Sequence, residues 1–456
     1  MYPSDRGFHG LPPPSTKSSE ASPAVSRIPH GSFGPTGGWC ANLEYGGFLS
    51  TQSEGQRWVV PLALTVMVGF GVILYGFPIY LTDHAAGSEF SKTLLSVAYG
   101  GSVFAGGVLA LPVGRYADRH GIRSVIGFGA MLGAMGLGIF SVSTQPWHVV
   151  VAWWLFIGPA QAMVYYEPAY IAINQWSKVE DRACSLAKIT LIGGLAGIIF
   201  PPLTERMVGL FGWRATVFVL AVLLITVGAV TSYRWLPRKD PRKAEQSSRI
   251  RLPIGALFAD RRFVLYTVAM ALMFLSVQGT IAHNVARFEE VGFSLTTVAL
   301  WAAVASVMSL PGRWLAPIMA ARLGVTGVQA AFTLIAALGV LLQIDGTETW
   351  QMIGHYALFG LAFGGLLPLR AMVMANWYGS HVYGWTMGVQ WSAAVLVGAA
   401  GPALVGVIRD ATGDYRMSVV LMTACFLVAM GAILVSGRIE PAKHHAELGG
   451  DHSDYH

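Results

Sequence analysis

The sequence predicts an all-α polytopic membrane protein: twelve transmembrane helices in two pseudo-symmetric six-helix bundles, with both termini cytoplasmic. Three observations carry this. First, 54% of the 456 residues are hydrophobic and only 12% are charged, whereas soluble domains carry about 25% charge. Second, the chain from Arg57 reads as twelve apolar segments, and a span needs ~20 residues. They fall near 58–82, 91–113, 122–143, 147–175, 183–208, 213–236, 262–286, 295–319, 324–344, 350–376, 382–408 and 416–437. Third, the longest polar interruption, Pro237 to Arg251, divides six segments from six.

The chain divides accordingly. Residues 1–57 are rich in Pro, Gly and Ser and bury too little apolar surface to fold alone, so a disordered cytoplasmic tail is expected. They hold no apolar core, so no cleavable signal peptide is visible and the first span would serve as the insertion signal. Residues 58–236 form the first bundle, 237–261 a basic cytoplasmic linker, 262–437 the second bundle and 438–456 a cytoplasmic tail. Orientation follows from charge: the tails, the linker and the 112–125 turn carry, with nearby loops, most of the 30 Lys and Arg, and such loops favour the cytoplasm. The same bias explains the net charge of +6 without nucleic acid. Cys40, Cys184 and Cys425 lie far apart with no metal spacing, so they read as packing residues, and no cofactor is expected.

The turn from Pro112 to Val125 packs several ionisable side chains between two apolar runs, so it belongs at a membrane face. The halves also repeat at an offset of about 200 residues: Pro168–Trp176 parallels Pro368–Trp377, Pro201 parallels Pro402, and Gly212–Arg214 parallels Gly413–Arg416. Weak symmetry of this kind is a signature of secondary transporters, with the substrate site near the midplane. In the second half only Arg322 and Gly324 survive from the turn, and Ala321 stands where the first half has Asp118.

The Gly114-x-x-x-Asp118-Arg119-x-Gly121-x-Arg123 pattern resembles the loop between helices two and three of the major facilitator superfamily. The likeness extends over residues 58–437. It is closest to the branch of monocarboxylate transporters and oxalate/formate antiporters, through Tyr166–Trp176 with Gly193–Pro201, His283–Ser294 leading to Gly312-Arg313, and Gly364–Arg370 leading to Asn376–Gly379. The resemblance implies alternating access with no covalent chemistry. It also implies a gating role for the loop, with Asp118 against the start of helix eleven, where a helix N-terminus favours a carboxylate.

Arg313 lies inside the eighth span, where an arginine costs at least ~2.5 kcal/mol on insertion scales and needs a partner or a wet cavity. Ser306 and Ser309 share its face, and in the resembled branch an arginine there binds the substrate anion. Two departures matter. Ser309 stands where monocarboxylate transporters usually place an aspartate, and helix eleven offers Thr386 and Gln390 but no lysine, which disfavours a small dianion. Arg370 and the aromatics Tyr165 and Tyr170 complete the expected binding set. Glu167 in the fourth span, sharing a face with Tyr170 and Asn174, is the candidate for proton coupling near Arg313, and His283 in the seventh is a second.

The reading is a secondary transporter of a small organic anion, a monocarboxylate, by symport or exchange with a proton or counter-anion. It acts as a monomer in the plasma or inner membrane. Export of larger amphipathic compounds is the alternative, and a non-transporting receptor or scaffold is another of a different class. An enzyme is not expected, because no nucleophile–base or metal-ligand cluster appears. The Walker spacing is also absent, which disfavours ATP-driven transport.

Overall fold

A computed structural model describes residues 57–82, 85–177, 182–237 and 254–439. These belong to one compact unit. Cys40 and the two tails beyond Arg57 and Ile439 lie outside the described residues, as do the side chains of Asp118, Arg119, Asn174, Cys184 and Trp385.

The described residues are helical and hold no strand. In lipid, each N–H and C=O must bond within the chain, which helices achieve segment by segment. The first span, Val59–Tyr80, comprises α1 (Val59–Gly69), a π-helical turn (Phe70–Tyr75) and α2 (Phe77–Tyr80). Next come α3 (Lys92–His120) and α4 (Ile122–Ser141). The fourth span is α5 (Pro146–Val151), a π turn (Ala152–Ile157), α6 (Gly158–Val164) and α7 (Tyr166–Trp176). Then follow α8 (Arg182–Gly194), α9 (Ala196–Val230) with a closing π turn (Thr231–Trp235), and α10 (Ile254–Ala259). The rest is α11 (Arg261–Glu290), α12 (Leu295–Leu323), α13 (Val325–Leu341), α14 (Thr349–Gly398), α15 (Ala400–Thr412) and α16 (Arg416–Arg438). Among the described residues, ten segments are long and apolar enough to cross a membrane.

Several boundaries differ from expectation. The 112–125 stretch is not an open turn: α3 stays helical through His120, past Pro112, and reverses at Gly121 alone (φ 90°, ψ 151°). Helices five and six are not separated by a loop; Lys188–Trp235 is one apolar stretch that breaks at Gly212 (φ 76°, ψ 163°). A side chain is strained at that φ, which is why glycine stands there. Spans ten and eleven join within the 50 residues of α14, and the expected linker ends in the short helix α10.

The repeat has a backbone counterpart. α3 and α12 are each 29 residues long. Ser91 caps the first by accepting from Leu94 N (3.1 Å), and Ser294 caps the second by accepting from Thr297 N (3.2 Å). Each ends on a glycine of nearly the same conformation, Gly121 and Gly324 (φ 88°, ψ 136°). Serine at such a position satisfies an orphan N–H of the first turn.

Helices approach closely where they carry glycine. A methyl group at Gly312 would stand 2.0 Å from Leu361 O, and one at Gly364 would stand 2.0 Å from Ser309 O. α12 and α14 therefore cross backbone to backbone, as small residues permit in membranes. This crossing fixes the depth of Ser306, Ser309 and Arg313.

Candidate functional site

Arg313 projects from α12 between Pro311 and Pro317 and is half-buried. Its guanidinium reaches Tyr166, and its charge acts on Tyr75 and Tyr170. Across from it runs α8, where a methyl at Gly194 would meet Arg313 Nη1 at 3.6 Å. One turn further, Ser306 Oγ and the Tyr75 ring close over Gly197. Tyr170 stacks on Tyr166 (centroids 5.6 Å, 14°), and Tyr165 stacks on Phe70 (3.9 Å, 17°). The cation thus sits among phenols. No carboxylate pairs with it among the described residues.

Glu167 lies in the fourth span beside a break in the helix. The chain leaves the helix at Tyr165 (φ −82°, ψ −161°), which puts Glu167 in the first turn of α7. The free N–H groups of a first turn favour a negative charge. Its side chain is exposed, and no ion pair joins it to Arg313 among the described residues. Both charges act on Tyr166 and Tyr170, so the tyrosines stand between Arg313 and Glu167 in one electrostatic environment.

Arg370 is buried and engaged. Its Nε donates to Gln390 Oε1, its Nη2 donates to Met387 O (3.1 Å), and its guanidinium lies 4.3 Å from the Trp391 ring centroid. Gln390 is therefore Arg370's partner, although its Nε2 stays buried without one. Ser309 lines the cavity described below, but its hydroxyl donates to Ser306 O (2.7 Å).

His283 is buried 2% exposed in a polar knot: Nε2 lies 2.9 Å from Ser96 Oγ and 3.0 Å from Pro402 O, and Nδ1 lies 3.1 Å from Tyr415 Oη. Beside it, Glu290 Oε2 faces Lys92 Nζ at 3.6 Å and Arg409 Nη2 at 3.1 Å, while Asp410 accepts from Thr93 N (3.1 Å) and Thr93 Oγ1 (2.6 Å). Glu205 accepts from Thr296 Oγ1 (2.7 Å). These bonds join the two sequence halves at one end of the molecule. At the other end, Arg123 donates to Tyr233 O (3.2 Å) and stacks on that ring (5.3 Å), Gly121 supplies the reversal, and Gly114 has room beside Ile171.

Between α2, α9, α11, α12 and α14 lies a small cavity of about 50 Å³. Its wall is mostly apolar, with Tyr75, Asn284, Ser306 and Ser309 as polar members and Phe359 and Phe363 as rings. Asn284 escaped the sequence reading: it adjoins His283 in a quoted motif, but nothing in the pattern shows that it faces a cavity. The Lys92–Glu290–Arg409 cluster was missed for another reason. Its members sit hundreds of residues apart and only the fold unites them.

A polytopic helical chain, with a cation at membrane depth that no carboxylate pairs among the described residues, has the makings of a solute transporter. The chain belongs to the Major Facilitator Superfamily: residues 59–376 match the profile of that family. Among curated proteins it is similar to MFS-type transporter pynF of Aspergillus niger, at 25% identity over 78% of this chain and 81% of that protein. It is also similar to Monocarboxylate transporter 13 of Rattus norvegicus, at 23% identity over 88% of this chain and 89% of that one. Among solved structures the nucleoside transporter NupG superposes with a TM-score of 0.72 at 14% identity, covering 85% of this chain and 100% of that one, which speaks to the fold. The protein is therefore a multi-pass membrane transporter of the superfamily, with monocarboxylate transporters among its relatives.

Proposed function

We propose that the protein is a secondary active transporter of a small organic anion, a monocarboxylate, working as a monomer by alternating access. The observation that carries this is Arg313: a cation at membrane depth, ringed by Tyr75, Tyr166 and Tyr170 and unpaired among the described residues. An arginine there is costly unless an anion or water meets it, and its planar fork suits a carboxylate. The relatives named monocarboxylate transporters support the substrate class.

Twelve spans in two bundles, 58–236 and 262–437, fit the geometry. Lys188–Trp235 has 48 residues, or ~70 Å at 1.5 Å per residue, against a core of ~30 Å. It crosses twice, reversing at Gly212. Val325–Leu341 is the shorter partner that completes the set. An even number puts both termini on one side, and the Lys and Arg bias makes that side the cytoplasm of a cell-surface membrane. Asp118, Arg119 and Arg123 form the cytoplasmic gate. Glu167 exchanges the coupled proton as the anion arrives, while Arg370, Gln390 and Tyr165 shape the binding region from behind.

Counterflow in proteoliposomes over a series of carboxylates, with Arg313→Ala as control, tests the reading. Exchange abolished by the substitution supports it; equal exchange by the mutant removes the anion site. Export of amphipathic compounds is the second reading, favoured by the apolar wall of the cavity. Neutral amphipaths exchanging where carboxylates do not would establish it.

A further inference from the structure

We propose that His283 is a proton-binding site that works as a latch: with a neutral ring it ties α3 of the first half to α11, α15 and the start of α16, and a second ring proton releases α3. The bonds assign the tautomer. Pro402 O, 3.0 Å from Nε2, can only accept, so Nε2 carries the ring hydrogen. Ser96 gives its own hydrogen to Lys92 O, so its Oγ, 2.9 Å from Nε2, accepts from the ring as well. Nδ1 is then bare and accepts from Tyr415 Oη at 3.1 Å. A methyl at Gly406 would stand 2.8 Å from Ser96 Oγ, so α3 and α15 press together at this bond. The neutral ring has both nitrogens filled, and its partners come from both sequence halves.

The ring cation does not fit this knot. A proton on Nδ1 would face the Tyr415 hydroxyl, which would have to turn its own hydrogen away. The cation would also join other positive charges: Lys92 of α3 lies 5.8 Å from the Tyr415 ring, Arg409 of α15 acts on His283, and Arg287 follows one turn along α11. The nearby acids are engaged already, Glu290 of α11 by Lys92 and Arg409, and Asp410 of α15 by Thr93. Asp414 and Arg416 flank Tyr415. From the side of α13 and α14, His355 turns instead to Gly339 O (2.9 Å) and Gln343 (3.0 Å). A proton also has a carrier. A cavity of about 20 Å³ is lined by Thr280, His283, Arg287 and Tyr415, and one water needs ~10–15 Å³. Thr280 Oγ1, buried without a partner among the described residues, would hold that water. Only the released ring binds the second proton, so acid favours separation: the latch holds above ~6.5, the ordinary value of a histidine, and is lost as the pH falls below it. The latch is independent of the solute that Arg313 binds and of the role proposed for Glu167.

Spin labels on Ser88→Cys and Ala411→Cys, two exposed positions, one before α3 and one on α15 beside Asp410, test this in the full-length chain without Cys40, Cys184 and Cys425. Their distance distribution is read at about pH 8 and about pH 5, which brackets the titration of a histidine. A ring that takes its proton near ~6.5 only when released should raise the ratio of separated to closed molecules about thirtyfold over that interval. In His283→Gln the ratio should stay level, and in His355→Gln the rise should remain. Should His283→Gln fail to fold, Ser96→Ala decides: it removes the bond from α3, so the rise should shrink well below that of the unsubstituted background. No rise in that background overturns the proposal without recourse to any variant. A rise that survives in His283→Gln, one that is lost in His355→Gln, or one that is undiminished in Ser96→Ala overturns it as well.

Discussion

Replacing Glu290 by Gln should open the end of the molecule that it holds shut. Glu290 Oε2 serves two cations, Lys92 of α3 at 3.6 Å and Arg409 of α15 at 3.1 Å. Lys92 is 5% exposed, whereas Glu290 and Arg409 are 22% and 26% exposed. Breaking a fully buried pair costs 3–5 kcal/mol, and exposed pairs are worth 0.2–1 kcal/mol. This cluster lies between, so ~2 kcal/mol is the expected loss. The amide also leaves two like charges facing each other. At 1.4 kcal/mol per decade, ~2 kcal/mol shifts the closed–open balance about thirtyfold. The contact it guards is tight: a methyl at Gly100 of α3 would stand 2.3 Å from Ala399 O. Ala399 is 5% exposed, so a cysteine placed there in a background without Cys40, Cys184 and Cys425 reports separation of α3 from this junction. Its modification by a hydrophilic maleimide in detergent should speed up about thirtyfold in Glu290→Gln and less in Glu290→Asp. An unchanged rate would show that the apolar crossing, not the charge cluster, holds this end, and would refute the reasoning.

Three further outcomes follow from the geometry. Arg313→Lys should keep the charge but lose the fork, so carboxylate affinity read by titration should fall about tenfold, and Arg313→Ala at least a hundredfold; an undiminished affinity in Arg313→Lys would mean that shape plays no part. Gly364→Ala drives a methyl into Ser309 O, an overpacking cost of ~1–3 kcal/mol, visible as a lowered Tm; no change in Tm would contradict the backbone crossing. Glu167→Gln should abolish the response of anion uptake to an imposed proton gradient while leaving counterflow at equal pH intact, and a gradient response that survives would end the coupling role.

The spans were legible in the sequence because lipid allows only one solution for an apolar run of ~20 residues. The repeat was legible too, at Gly212 and Gly413, since only glycine tolerates the positive φ found at both. Boundaries were less so. The polar run 112–120 looked like a loop, but polarity does not end a helix; Gly121 does. The pairing of charges was not legible at all. Arg313 and Arg370 read alike along the chain, as arginines inside spans near Pro and Gly. Their difference comes from what surrounds them: the glycine of α8 and the tyrosines of the first span and α7 for one, Gln390 and Trp391 of α14 for the other.

That difference is the ground for the roles proposed for the two arginines. Arg370 has its fork filled by Gln390 and Met387 O and its face covered by Trp391. An incoming carboxylate would have to displace these bonds, and the exchange of one charge-assisted bond for another gains little. Arg313 faces phenols, which can donate to an anion together with the guanidinium. Binding there adds bonds rather than swapping them. The same logic explains Ser309 in place of a carboxylate. A resident acid at i−4 would pair with Arg313 in the empty state, and the substrate would then have to compete with it. With serine, the proposed anion would supply the counter-charge that the site lacks among the described residues. The proton, if one is carried, must then be taken up away from Arg313, and Glu167, exposed at the start of α7 and unpaired with that cation, is the carboxylate so placed.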